Sequence, residues 1–146
     1  MYYGEFAYQI DNKFRLILPA KFREVSQSNY IEKFIATRGL DGCIFLWPDK
    51  EWELQEQKFK ALPFTKRNAR HFNRILFSGA AELRPDKQGR VLLPGYLREY
   101  AGIRHDVMIV GISSRIEIWD IERWRDFYNT QKESFENTAE DLFDVS

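Results

Sequence analysis

The chain has little of what builds disulfides, metal sites or membrane spans. Of its 146 residues one is cysteine and two are histidine, and no apolar run approaches the about 20 residues that a membrane helix needs. The first residues, Met-Tyr-Tyr-Gly-Glu-Phe, lack the charged and then apolar pattern of a secretory signal. We therefore predict a cytoplasmic protein with no membrane partner, in which the lone Cys43 is a small buried side chain.

Sequence signatures of catalysis are missing as well. Neither His71 nor His105 stands near a candidate nucleophile or at a metal-ligand spacing. The chain has no Gly-rich phosphate loop, His-Glu-x-x-His or Gly-x-Ser-x-Gly motif. The sequence predicts a protein that is not an enzyme, with no cofactor, no metal site and no small-molecule substrate. Its 44% of hydrophobic residues still suffice for the core of a globular protein.

The chain does contain a repeat. Asp11-Asn-Lys-Phe-Arg-Leu-Ile-Leu-Pro19 returns 75 residues later as Asp86-Lys-Gln-Gly-Arg-Val-Leu-Leu-Pro94. Six of the fourteen positions from 11 to 24 are identical to their counterparts from 86 to 99. A Trp-x4-Trp pair, which we expect to serve packing, follows each copy: Trp47 with Trp52, and Trp119 with Trp124. We predict two pseudo-equivalent halves at residues 1–75 and 76–146, each marginal alone.

Turn-forming residues divide each half into short strands and helices. In the first half we predict strands at 5–10, 14–18, 34–38 and 43–47, and helices at 20–27, 49–61 and 66–77, the last connecting the halves. In the second half we predict strands at 80–84, 89–93, 106–112 and 115–119, and helices at 95–101 and 121–145. The first two strands of each half are expected to pair as one hairpin, and the next two as another. Pro19 and Pro94 are typical of helix starts.

A net charge of zero conceals an asymmetry along the chain. Residues 1–116 carry 19 Lys or Arg and 13 Asp or Glu, which gives +6, whereas residues 117–146 carry 3 and 9, which gives −6. A polyanion would therefore meet the body of the protein. The C-terminal segment would be repelled by that polyanion, neutralise a neighbouring subunit, or form a solvated acidic tail.

Each repeat begins with Asp-x-x-x-Arg. Asp11 or Asp86 at the shoulder of a turn can accept hydrogen bonds from the turn backbone, and the arginine then begins the returning strand. Arg15 and Arg90 would there be placed to grip a phosphate or the O6/N7 edge of guanine. Alternatively, each arginine forms a salt bridge to its aspartate that only fixes the turn. Four further basic residues near the turns are candidate phosphate contacts: Lys13, Lys87, Lys21 and Arg84.

A second basic cluster lies in the helix predicted to connect the halves. Arg67, Arg70 and Arg74 are spaced by three and four residues, so the pattern places them on one helical face. This stripe could bind phosphates, pair with the acidic C-terminal segment of a neighbouring subunit, or face water.

The repeat motifs resemble the MraZ family, and so do Thr37-Arg-Gly-Leu-Asp-Gly-Cys-Ile-Phe-Leu-Trp47 and Leu76-Phe-Ser-Gly-Ala-Ala81. MraZ proteins are bacterial transcription regulators with two tandem domains of the AbrB and SpoVT type. The resemblance implies an α+β fold with two swapped-hairpin β-barrel halves and flanking helices. It also implies ring-shaped homo-oligomers that associate with the nucleoid and bind G-rich direct repeats in double-stranded promoter DNA. The family typically represses its own division and cell-wall operon, and an activating role also occurs.

On this resemblance Arg15 and Arg90 become predicted DNA contacts, and the two aspartates are assigned to turn structure. One departure from the family pattern is Phe14, where glycine is usual; the second copy keeps Gly89. We expect a differently shaped first turn, with the ring at its tip or packed against a neighbour. The competing hypothesis is an antitoxin-like assembly module in which the two arginines serve subunit contacts.

Overall fold

The computed structural model describes residues 1–143 and has the predicted α+β composition. Its strands are β1 (Tyr2–Gln9), β2 (Arg15–Ile17), β3 (Phe34–Arg38), β4 (Ile44–Pro48), β5 (Ala81–Leu83), β6 (Arg90–Leu92), β7 (Asp106–Ser113) and β8 (Arg115–Asp120). Its helices are α1 (Ala20–Ser28), α2 (Asp49–Lys60), α3 (Arg67–Ser78), α4 (Gly95–Ala101), α5 (Ile121–Gln131) and α6 (Phe135–Phe143), with a 3-10 turn over Lys132–Ser134. All predicted elements except the last helix are confirmed to within three residues.

The prediction of one continuous helix at 121–145 is wrong. The 3-10 turn separates α5 from α6, and at this point the hydroxyl of Ser134 donates to the carbonyl of Gln131 at 3.2 Å. Hydroxyl side chains of this kind compete with the backbone hydrogen bonds of a helix, which accounts for the interruption. Positions 144 and 145 of the prediction lie outside the described residues.

The strands on either side of each Asp turn do not pair with each other, so the prediction of hairpins there is wrong. β1 pairs antiparallel with β7, β5 pairs with β3, and β2 pairs with β6. Every residue of β1 has a partner on the long strand β7, a match that three-residue β2 could not offer. The two other predicted hairpins, β3 with β4 and β7 with β8, are confirmed.

The larger sheet has six strands in the order β1-β7-β8-β4-β3-β5, all antiparallel, and β2 with β6 forms a separate ribbon. At the centre of the sheet, β4 from the first repeat pairs with β8 from the second. The strands of residues 1–143 therefore form an open sheet and a ribbon rather than a closed barrel. Strands from both repeats contribute to each of these two sheets.

Apolar side chains pack on both faces of the large sheet. Along β4 they alternate, because successive strand residues point to opposite faces: Ile44 and Leu46 join one layer, Phe45 and Trp47 the other. The first layer is completed by α1, α4 and the β2–β6 ribbon. These elements contribute the buried side chains Phe22, Leu97, Leu16 and Val91.

The second layer contains the four tryptophans and is covered by α2, α3 and α5. Trp47, Trp52 and Trp119 are buried, and Trp124 packs against this layer, which confirms their predicted role in packing. Cys43 is also buried there, as predicted, and its burial raises the pKa of the thiol. The β2–β6 ribbon and its turns pack in the first layer. The candidate site therefore lies on the face of the large sheet opposite the tryptophans.

Candidate nucleic-acid interface

The turn after β1 is built around the carboxylate of Asp11. One oxygen, Oδ1, accepts the backbone N–H groups of Lys13 and Arg15, each at 2.9 Å. The other oxygen, Oδ2, accepts Nε of Arg15 at 2.8 Å. The backbone N–H of Phe14 donates to the Asp11 carbonyl, and that of Asp11 to the Arg15 carbonyl, both at 3.0 Å. One carboxylate therefore holds both the loop and the arginine.

The turn after β5 repeats this arrangement. Oδ1 of Asp86 accepts the N–H groups of Gln88 and Arg90 at 2.9 Å, and Oδ2 accepts Nε of Arg90 at 2.8 Å. Gly89 and Phe14 both have positive φ, 80° and 63°. The expectation that Phe14 changes the shape of the first turn is therefore wrong, because this residue adopts the left-handed conformation that glycine adopts in the second.

The hydrogen bonds in the turns also favour the charged form of each carboxylate. The backbone N–H of Arg15 is the main group that lowers the pKa of Asp11, and the backbone N–H of Arg90 does the same for the pKa of Asp86. Because an ordinary aspartate is already ionised at neutral pH, this shift keeps both ion pairs intact over a wider range of acid pH.

Each ion pair uses only Nε of its arginine. Within residues 1–143, no protein group accepts a hydrogen bond from the terminal amino groups, Nη1 and Nη2, of Arg15 or Arg90. The two side chains keep 30% and 28% of their surface exposed. A salt bridge within the turn and contact with an external anion are therefore compatible, since the aspartate orients a guanidinium that still has unused donors.

Backbone hydrogen bonds tie the two turns to each other. The N–H of Leu18 donates to the carbonyl of Gly89 at 2.9 Å, and the N–H of Leu93 donates to the carbonyl of Phe14 at 3.0 Å. Because β2 and β6 run antiparallel, the arginines that begin these strands lie towards opposite ends of the ribbon. Each repeat thus completes the turn of the other.

Two arginines that sequence reasoning did not single out also meet these turns. Arg23 on α1 and Arg98 on α4 donate Nε to the carbonyls just after β2 and β6, at 3.1 and 3.2 Å. The guanidinium of Arg98 stacks over the ring of Phe14, 3.7 Å from its centroid. Arg23 lies so close to Gly89 that a Cβ there would overlap its Cδ. The sequence does contain a signal that could have identified this pair: both repeats have an arginine four residues after the proline that starts the helix.

The other predicted DNA contacts have different surroundings. Arg84 is exposed, but its Nε donates to Glu82 at 3.3 Å. An ion pair with Lys33, with Nζ 3.1 Å from Oε1, lowers the pKa of Glu82 and keeps this carboxylate charged. Arg84 therefore presents a partly neutralised charge. Three exposed lysines have no ion pair within residues 1–143: Lys13, Lys21 and Lys87.

The basic stripe of α3 differs from its prediction in one member. Arg67 and Arg74 are exposed, and so is His71 between them. Arg70 instead turns back towards the preceding loop, where its Nη1 donates to the carbonyls of residues 64 and 65 at 3.1 Å. The outward face of α3 therefore carries two arginines rather than three.

In the part of the chain that the structure describes, no group of three or more His, Cys, Asp or Glu side chains could hold a metal ion. His105 is exposed, and its Nδ1 lies 3.8 Å from the carboxylate of Asp106. None of the helices within residues 1–143 has the length and apolar character needed to cross a membrane.

Both repeats match one protein family. The profile of the family described as "MraZ protein, putative antitoxin-like" matches residues 1–75 and again residues 76–146. A curated relative from Syntrophomonas wolfei is 51% identical over 145 residues, 99% of each chain. Relatives from Natranaerobius thermophilus and Carboxydothermus hydrogenoformans are each 49% identical over 144 residues, 99% of this chain and 98% of theirs. All three are named "Transcriptional regulator MraZ". With both repeats matched and such identity over nearly the full length, the chain belongs to the MraZ family.

Proposed function

We propose that this protein is a transcription regulator that binds double-stranded promoter DNA in a sequence-specific manner. The observation that carries the proposal is the duplicated turn, in which an aspartate holds Nε of an arginine and leaves the terminal amino groups for another partner. The printed names of the relatives support it, since each is a transcriptional regulator.

Arg15 and Arg90 are the proposed base-reading residues. The planar guanidinium suits the O6 and N7 acceptors of guanine in the major groove, and such a pair discriminates against other bases. Asp11 and Asp86 have the supporting role of orienting these arginines. The remaining basic residues near the turns would contact phosphates and so position the protein without reading sequence: Lys13, Lys21, Lys87 and Arg84.

We assign the two repeats, residues 1–75 and 76–146, to the swapped-hairpin type of the AbrB and SpoVT domains. The pairing of β2 with β6 supports this assignment, because each short strand finds its partner in the other repeat. The reciprocal hydrogen bonds between the turns support it further. Barrel closure is the part of this assignment that the open sheet of the single chain does not support.

The proposed mechanism is multivalent binding by a ring of subunits. The chain has no net charge, so one subunit would bind a single short box weakly. A ring that presents the same arginine pair repeatedly would engage tandem G-rich boxes, because each contact after the first is intramolecular. Occupied boxes that overlap a promoter would exclude RNA polymerase, so the protein would repress its own operon in the cytoplasm, on the nucleoid.

Fluorescence anisotropy with tandem G-rich boxes and a shuffled duplex, across a salt series, tests this proposal. We expect Arg15→Ala and Arg90→Ala each to weaken binding to the boxes by about 5- to 150-fold, the range of one guanine contact. Arg15→Lys and Arg90→Lys should restore little of this loss, because lysine keeps the charge but not the fork. Lys58→Ala removes an exposed charge on α2, which packs on the other face of the large sheet from the turns, and is the matched control.

The outcomes separate DNA reading from subunit assembly. Loss of preference for the boxes with unchanged light scattering supports the proposal. Equal binding of wild type to boxes and shuffled duplex contradicts it, as does a loss of affinity that follows disassembly of the oligomer. If lysine restores binding fully, the arginines contact phosphates only, and sequence is read elsewhere.

A further inference from the structure

Helix α6 carries an apolar stripe that the rest of the described chain does not cover. A period of 3.6 residues places four apolar side chains on one face of the helix: Phe135, Ala139, Leu142 and Phe143. The three large ones remain 74%, 74% and 80% exposed. Within residues 1–143 the only extensive contact of α6 is with the 3-10 turn before it. An apolar surface of this kind marks a site of interaction.

The charged residues of α6 are all acidic, and this restricts what can cover the stripe. Glu136, Glu140 and Asp141 are exposed, and none of them forms an ion pair within the described residues. Two α6 helices packed against each other would bring these charges together, and nucleic acid would be repelled by them. The surface that fits α6 is therefore both apolar and basic.

The same chain offers such a surface on α3. Its outward face presents Arg67 and Arg74, which form no ion pair among residues 1–143, with exposed Ile75 beside Arg74. Exposed Phe64 lies in the loop just before the helix, and Arg70 holds that loop against α3. Two arginines flanked by two apolar side chains complement the acidic and apolar face of α6.

We propose that α6 of one copy of this chain docks on the α3 face of the next copy. The inference deepens the proposed function, since it assigns the subunit contact on which the ring rests. Two different surfaces that pair head to tail leave one of each unused in every dimer, so further copies can add. A ring forms when the rotation between neighbouring copies closes. The acidic α6 then occupies the basic stripe of α3, which assigns this stripe to a subunit rather than to DNA.

Reciprocal charge reversal, read by light scattering without DNA, tests this contact. One variant carries Arg67→Glu with Arg74→Glu, and the other Glu136→Lys with Glu140→Lys. In each variant alone, α6 of one copy and α3 of the next would carry charges of the same sign and repel each other. The molar mass should therefore fall to that of a single chain. An equimolar mixture should regain the wild-type mass, because lysine on α6 of one variant meets glutamate on α3 of the other. Arg104→Glu with Lys50→Glu is the matched control, with two exposed charges reversed elsewhere.

Several results would overturn the contact: a monomeric wild type, unchanged masses in the reversed variants, or a mixture that stays dissociated. Fluorescence of the buried tryptophans confirms that each variant is folded. If a reversed variant fails to fold, the neutral pairs Arg67→Gln with Arg74→Gln and Glu136→Gln with Glu140→Gln replace it and should still lower the mass. The two proposals can fail separately. If the arginine variants form intact rings and wild type shows no preference for the boxes, only the DNA-reading proposal is wrong. If the charge-reversed variants still form rings and bind DNA, only the proposed contact between α6 and α3 is wrong.

Discussion

The turns at residues 11–15 and 86–90 have the same hydrogen bonds, but the residue with positive φ is of a very different type in each turn. Phe14 occupies it in the first turn and Gly89 in the second. A non-glycine residue in the left-handed region is disfavoured by about 1–2 kcal/mol, so the phenylalanine needs compensation. The hydrogen bonds between the aspartate and the turn backbone therefore specify the same backbone conformation in both turns. Contacts with the other repeat decide which side chain fits at the position with positive φ.

The neighbour is an arginine in both turns, but it lies differently. Arg98 stacks over the ring of Phe14, whereas Arg23 passes through the space that a side chain at Gly89 would need. Each arginine comes from the other repeat and is held through its Nε by a backbone carbonyl. The two repeats have therefore diverged at a contact between them, while the arginines proposed to read DNA have stayed equivalent.

The largest effect on stability is expected for Gly89→Ala, which places a side chain at the left-handed position of the second turn. We expect the free energy of unfolding to fall by about 2 to 4 kcal/mol, the sum of left-handed strain and a lost hydrogen bond from a displaced Arg23. Urea denaturation measures it.

The same substitution in an Arg23→Ala background separates the two causes. With the overlapping side chain removed, Gly89→Ala should cost only the strain of the left-handed conformation, about 1–2 kcal/mol. An equal cost in both backgrounds would show that Arg23 does not decide which residue the second turn accepts.

The next effect concerns the pH dependence of stability, where we expect the two turns to behave alike. Because the folded-state pKa of Asp11 and Asp86 is lowered, the stability that they contribute is present above the ordinary pKa, about 3.9, and is lost as pH falls through the folded values. Asp11→Asn and Asp86→Asn should each flatten the acid limb of a plot of urea midpoint against pH. Flattening by one variant only would break the equivalence of the turns.

Much of this fold follows from local patterns in the sequence. Alternating apolar residues and the prolines at 19 and 94 predict the strands and short helices to within three residues. The pairing of β1 with β7 and of β2 with β6 does not follow, because it depends on which distant strands match in length. The break at Ser134 depends on one side-chain hydrogen bond that competes with the helix.

The candidate site divides in the same way. The spacing of Asp and Arg predicts a turn with an anchored arginine, since all its bonds lie within five residues. The spacing does not predict that Arg23 and Arg98 complete the turns, because these contacts join one repeat to the other. It also does not reveal that Arg70 turns towards its own loop, because helical periodicity fixes the position of a residue but not the partner of its guanidinium.

The smallest effect is expected for Phe14→Gly, which makes the first turn resemble the second. Glycine relieves the left-handed strain, but the variant loses a cation–π contact of about 0.5–1 kcal/mol and gains entropy in the unfolded chain. These opposing contributions should leave the free energy of unfolding changed by about 1 kcal/mol or less, well below the effect of Gly89→Ala. Because the ring and Arg98 act together, Arg98→Ala should cost less in the Phe14→Gly variant than in wild type when both are measured by urea denaturation. A loss as large as that of Gly89→Ala would mean that the ring is required between the repeats, and that the two turns are not interchangeable versions of one design.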